Sequence, residues 1–199
     1  MFRFRYVFPL LIAVLTAIIA STVMAVSKKS FDSVNDGYEI NKDVKEYASD
    51  LNIDLDTAIH QLALQELAGN LDAELSRKEA DTYAGLWIQH SPQFRIIVQF
   101  TQEGKETIRP YIENEALADI VDVRVVQYTL KELEAAQVAT QLKIRNLDIP
   151  TNSGINVVEN RVELYVVERS RFDVAIQDTK MQLPPQVKVV TVSELSTQE

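Results

Sequence analysis

The 199-residue sequence contains no cysteine. That absence excludes disulfides, thiol nucleophiles, zinc–thiolate centres and lipoprotein acylation. Glycine and proline are scarce, at 5 and 6 residues, which argues against a long disordered linker. Histidine occurs only at His60 and His90. No His-x-x-x-His or His-Glu-x-x-His spacing exists to hold a metal. No Gly-x-Ser-x-Gly or Gly-Asp-Ser-Gly string surrounds a serine, and the nearest string, "TNSG", suits a turn. A hydrolytic triad needs a nucleophile, a base and an orienting acid, so these gaps point away from catalysis. There is no glycine-rich phosphate loop. Asp54 and Asp56 lack the glycine and distal glutamate of a calcium loop, and Asp119 with Asp122 fits a solvated strand end. No catalytic residue, cofactor or metal is expected.

Concentrated positive charge is also missing. The formal net charge is −9, and the first 25 residues hold Arg3 and Arg5 but no acid, so the remainder is more acidic still. Nucleic-acid phosphates need clustered Lys and Arg, which excludes nucleic acid as the expected partner. An acidic body suits a basic protein, or simply a solvated acidic surface. The 46% hydrophobic content is that of a globular chain able to bury a core.

The start reads as an export signal. Arg3 and Arg5 form a positive n-region, Phe8 to Ala20 an apolar run, and Val23-Met24-Ala25 a cleavage site. Residues 1–25 are therefore expected to be a signal peptide. The alternative is an uncleaved anchor spanning residues 6–26, long enough to cross a bilayer and then the only membrane attachment. Either reading places the rest of the chain outside the cytoplasm. Residues 26–42 are polar and aperiodic and read as a flexible tether.

Residues 43–147 are expected to form an N-terminal helical segment and a first α+β lobe. Asp54 or Asp56 can cap a helix running to Lys78. Its apolar residues fall in two stripes, Leu55-Ile59-Leu62 and Leu64-Leu67-Leu71-Leu75, about half a turn apart. The helix must meet two neighbours or bend near Gly69. "YAGLWIQ" and "FRIIVQFT" predict two strands around a Ser91-Pro92 turn, with Phe94, Ile96, Val98 and Phe100 on one face of a half-buried strand. Trp87 is expected as a core anchor and His90 as a turn residue. "GKETIRPYIENEALA" predicts a helix disturbed by Pro110, and "DIVDVRVVQYT" a strand. A helix follows behind a Thr129 cap, with Leu133, Val138, Leu142 and Ile144 on its apolar side.

"DIPTNSG" reads as a boundary loop, and residues 148–199 as a second α+β lobe with a C-terminal tail. There "INVV" and "RVELYVV" predict a hairpin around Glu159-Asn160, followed by a short helix, a Leu-Pro-Pro break and a last strand in "QVKVVTVSEL". Strand–helix–strand thus recurs at 94–128 and 162–193. The fold class expected is α+β, bilobed, with small mixed or antiparallel sheets covered by helices.

"YAGLWIQHSPQFRIIVQFT" resembles a segment of the pro-regions of alpha-lytic protease and streptogrisin-type bacterial serine proteases. "INVVENRVELYV" is similar to a second hallmark of those pro-regions, and the helical lead-in from Glu46 to Leu75 is similar to theirs. The resemblance covers roughly residues 44–195. It implies a bilobed α+β protein that assists folding of a chymotrypsin-like protease and then inhibits it, with the C-terminal lobe's sheet against the enzyme. Carried over by position, the partner-binding residues are Arg161, Glu163 and Tyr165 of the hairpin, Val187 and Val189 of the last strand, and Val192 to Glu199 of the tail approaching the cleft. In the family a protease domain follows the pro-region, and here the sequence stops at Glu199. The expectation is either a stand-alone relative acting in trans or on another partner, or a chain that has lost its enzyme. A terminal glutamate suits only a protease that accepts acidic residues. The reading from another class is an extracytoplasmic scaffold or adhesion module that keeps the fold without binding a protease.

Overall fold

The computed structural model describes residues 42–113 and 116–195. The expected export segment, and all of the expected tether except Lys42, lie outside them. The described chain runs α1 (Lys42–Leu51), α2 (Leu55–Lys78), β1 (Tyr83–Gln89), β2 (Arg95–Phe100), α3 (Gly104–Ile112), β3 (Val121–Val125), α4 (Leu130–Ile144), β4 (Thr151–Asn156), β5 (Arg161–Val166), α5 (Arg169–Asp178) and β6 (Val187–Thr191). Two three-stranded sheets, ordered β1-β2-β3 and β4-β5-β6, make it an α+β protein. Each sheet is an antiparallel hairpin followed by a helix and a third strand parallel to the second. The recurring strand–helix–strand pattern is therefore two copies of one ββαβ motif. No helix among the described residues is long and apolar enough to cross a membrane.

The described residues group into two compact units. One comprises residues 42–67, 112–113 and 116–119, the other residues 68–111 and 120–195. In the first, Val44 and Ala48 of α1 pack with Ala58 and Ile59 of α2, joined by Tyr47, Ile53 and Leu62. Asp54 caps α2 as the sequence predicts. Its Oδ1 accepts the Thr57 N–H at 2.8 Å and its Oδ2 the Thr57 hydroxyl at 2.7 Å. Of the two apolar stripes of α2, Ile59 and Leu62 pack with α1 in the first unit. The other is divided along its length, Leu64 and Leu67 falling in the first unit and the buried Leu71 and Leu75 in the second.

The second unit holds both sheets. On one face of the first sheet, Ile96, Val98 and Phe100 are fully buried. Gly104 opens α3 so close to this face that a Cβ there would lie 2.7 Å from both Phe100 and Val123. Tyr83 packs edge-on against Phe100 and donates its hydroxyl proton to Asp72 of α2. α3 is shorter than the sequence predicts, ending at Ile112, two residues after Pro110, whose missing N–H leaves the Glu106 carbonyl without its i+4 donor.

The expectation of a half-buried β2 is corrected. Ile97 and Gln99, on the other face, are as buried as their neighbours. Their cross-strand partners explain it: Trp87 stands opposite Ile97, Arg124 opposite Gln99, and the Arg124 guanidinium lies over the Trp87 ring, 5.2 Å from its centroid. The side chains of the two outer strands thus close over the middle one. Trp87 is itself half-buried.

α4 starts behind the expected Thr129 cap. The Thr129 hydroxyl accepts the Glu132 N–H at 3.1 Å, and the Glu132 carboxylate accepts the Thr129 N–H at 2.8 Å, a capping box. Its buried side is Leu133, Ala136, Thr140 and Ile144, while Val138 and Leu142 are exposed. At about 100° per residue Leu142 falls on the side opposite Leu133, which overrides the expected apolar face.

The hairpin of the second sheet is also displaced from its expected position. β4 occupies Thr151–Asn156, and Val157 to Asn160 form the turn. Tertiary contacts stabilise the polar strand. Gln137 Nε2 donates to the Ser153 carbonyl at 3.0 Å and Gln141 Nε2 to the Ser153 hydroxyl at 2.9 Å. Asn160 takes the left-handed conformation, φ 49°, which Asn tolerates better than most residues. Its side chain accepts the N–H groups of Gln127 and Tyr128 and donates to the Tyr128 carbonyl. That tie anchors the turn to the segment leading into α4. Val162, Leu164 and Val166 form the buried face of β5, with Phe172 of α5 and Leu133 and Ile144 of α4 in the same clusters.

Candidate functional site

The strand pairing sorts the sequence-predicted residues by face. Arg161, Glu163 and Tyr165 alternate with the buried Val162, Leu164 and Val166, so they share the second face of β5. Asn152, Gly154 and Asn156 stand opposite them on β4, and Lys188 and Val190 on β6. Alternation within "QVKVVTV" could have found Lys188. Asn152 was missed because its segment was read as a loop, whereas Asn156 lies in the expected strand "INVV" and only its register opposite Arg161 was missed.

Glu163 is the hub of this face. Its Oε1 accepts from Arg161 NH2 at 2.7 Å, from Arg161 Nε at 3.1 Å and from Asn156 Nδ2 at 3.1 Å, and its Oε2 from the Tyr165 hydroxyl at 2.7 Å. Arg161 NH1 also pairs with Glu159 at 2.9 Å. The Glu163 side chain is 12% exposed. The Tyr165 hydroxyl bond, with those of Arg161 and Asn156, holds its carboxyl below the usual range. The same bond raises the Tyr165 phenol, and the carboxylate raises the Arg161 guanidinium. A carboxylate with four donors, ionised at neutral pH, is poorly suited to accept a substrate proton. It suits a fixed, charged recognition face instead.

Val187 and Val189 lie elsewhere. Their side chains join the apolar cluster around Leu164 and Phe172, so they do not share a face with Arg161 and Glu163. Their main chain is placed differently. In parallel pairing, alternate residues direct both backbone groups to the same neighbour. Gln186 O accepts from Val162 N, and Val192 N donates to Val166 O. Lys188 and Val190 therefore face β5, while Val187, Val189 and Thr191 face the outer edge of the sheet. The Val187 N–H turns back to Pro184 O. The Val187 carbonyl and both backbone groups of Val189 and Thr191 line an edge with no strand beside it among the described residues. Val192 closes the β5–β6 ladder, and Glu199 lies outside the described residues.

The features that suggest chemistry are dispersed. His90 is exposed in its turn and its ring lies 5.9 Å from that of Phe94. His60 lies within α2, where burial lowers its pKa. A groove of about 610 Å³ runs beside the first turn of α4, yet Thr129 and Glu132 there are committed to the helix cap. No group of three or more His, Asp or Glu among the described residues could hold a metal ion. Compared with protein-family models and with curated proteins, the chain matches none.

Proposed function

We propose that this chain is an exported, non-catalytic protein that binds a chymotrypsin-like serine protease through its second sheet, inhibiting the folded enzyme or assisting its folding. The export reading rests on the Arg3/Arg5 start and the apolar run from Phe8 to Ala20. The resemblance of "YAGLWIQHSPQFRIIVQFT" and "INVVENRVELYV" to protease pro-regions supports the partner class. One observation carries the mode of binding: the outer edge of β6 offers the backbone groups of Val189 and Thr191 without a neighbouring strand. An added strand gains affinity from main-chain bonds while demanding little of its side chains. Arg161, Glu163, Tyr165 and Lys188, on the adjoining face, supply side-chain selectivity.

The test is a titration of the purified chain against a panel of chymotrypsin-like bacterial proteases, both active and acid-unfolded. Saturable inhibition, or rescue of refolding, is the expected result. Neither effect on any member of the panel would overturn the proposal in favour of an extracytoplasmic scaffold.

A further inference from the structure

The repeated ββαβ motif leaves a second edge, on β3, that corresponds to β6 in the first sheet. Ile96 N donates to Ile120 O, and Val126 N to Phe100 O. By the same parallel pattern Asp122 and Arg124 face β2, while Val121, Val123 and Val125 direct their backbone groups outward. Among the described residues no strand lies beside this edge, and Val125 is 71% exposed.

The sequence of β3, Val-Asp-Val-Arg-Val, selects the occupant. We infer that β3 pairs antiparallel with β3 of a second copy of this chain, about an axis through Val123. In that register Val121 stands opposite Val125 of the other copy, and Val123 opposite itself. These are the outward-facing residues, so they exchange about six main-chain bonds. Asp122 then stands opposite Arg124 of the second copy, and Arg124 opposite its Asp122. Both charge pairs fall at non-hydrogen-bonded positions, where side chains approach most closely and opposite charges stabilise the pairing. Asp122 and Arg124 are exposed and on one face, and pairing requires the Arg124 guanidinium to exchange the Trp87 ring for Asp122 of the second copy. β6 lacks this self-complementarity. Turned about Val189, it would place Lys188 opposite Val190 of the second copy, a charge with no opposite charge to meet. One edge is thus matched to a copy of itself and the other is not.

This inference does not depend on the proposed protease partner, because the two use different edges. Its test is sedimentation equilibrium of the full chain over a wide range of concentration. The mass should rise from one chain towards two. Asp122→Arg sets like charges opposite each other and should weaken association by about tenfold or more. The double exchange Asp122→Arg with Arg124→Asp restores complementarity and should restore the dimer. Val125→Pro removes an outward N–H without touching the bonds to β2, and should abolish association. The mass of one chain at every concentration would overturn the inference. So would a dimer that survives Asp122→Arg or Val125→Pro.

Discussion

In the first ββαβ motif, the face opposite Ile96, Val98 and Phe100 carries Trp87, Ile97, Gln99 and Arg124. The corresponding positions of the second motif carry Gly154, Glu163, Tyr165 and Val190. The backbones share a topology and a pairing pattern, yet the first face is closed by a tryptophan and an arginine reaching over the middle strand. The second is held by a carboxylate gathering four donors. Burial on both sides makes β2 a structural centre. β5 has one apolar face in the core and one charged face that is only partly covered.

The largest test of this contrast removes apolar volume from the middle strand's second face. Ile97→Ala should cost about 2–5 kcal/mol, measured as the shift in urea denaturation. A loss below about 0.5 kcal/mol would mean that Trp87 and Arg124 do not seal that face. At the position matching Ile97, Glu163→Gln should cost less, about 1–3 kcal/mol, because it weakens hydrogen bonds and leaves no cavity. Its signature is in pH. The folded Glu163 carboxyl lies below its ordinary 4.5, so its contribution is present above about pH 4.5 and is lost as pH falls through the folded value. Wild type and variant should therefore converge in stability as pH falls below about 4.5 and through the folded value. A gap that does not narrow on acidification would show that the stabilisation does not come from the ionised carboxylate. The smallest effect is expected from Arg124→Ala, which removes the cation–π contact with Trp87 at about 0.5–1 kcal/mol. Trp87 fluorescence should shift to the red as water reaches the ring, and an unchanged emission would place the stacking elsewhere.

The elements that carry this contrast were legible in local pattern, but the burial of the second face of β2 was not. The alternation in "FRIIVQFT", the Asp54 and Thr129 caps and the breaks at Ser91-Pro92 and Leu-Pro-Pro are signals that a few neighbouring residues decide. The errors fall where distant residues decide. Gln99 reads as solvent-facing until Trp87 and Arg124 close over it. "TNSG" reads as a turn until Gln137 and Gln141 of α4 bind Ser153 and the segment pairs with β5. Val138 and Leu142 read as core because they are apolar, although their angular position on α4 turns them outward. The candidate site was legible in part. Arg161, Glu163 and Tyr165 alternate visibly, whereas Asn152 depends on an extension of β4 that only the tertiary structure reveals, and Asn156 on the register of the hairpin. The parallel pairing that directs Val189 and Thr191 to the edge by their main chain leaves no mark in sequence.

The central claim is that this edge receives a protease strand, and one substitution tests it most directly. Thr191 is exposed and its N–H faces outward, so Thr191→Pro removes an edge donor without breaking a bond to β5. Inhibition constants of wild type and Thr191→Pro should be measured against a protease that the wild-type chain inhibits, with both melting temperatures recorded. The account predicts inhibition weakened by about tenfold or more, close to 1.4 kcal/mol, at nearly unchanged melting temperature. Equal inhibition by the two proteins would contradict it.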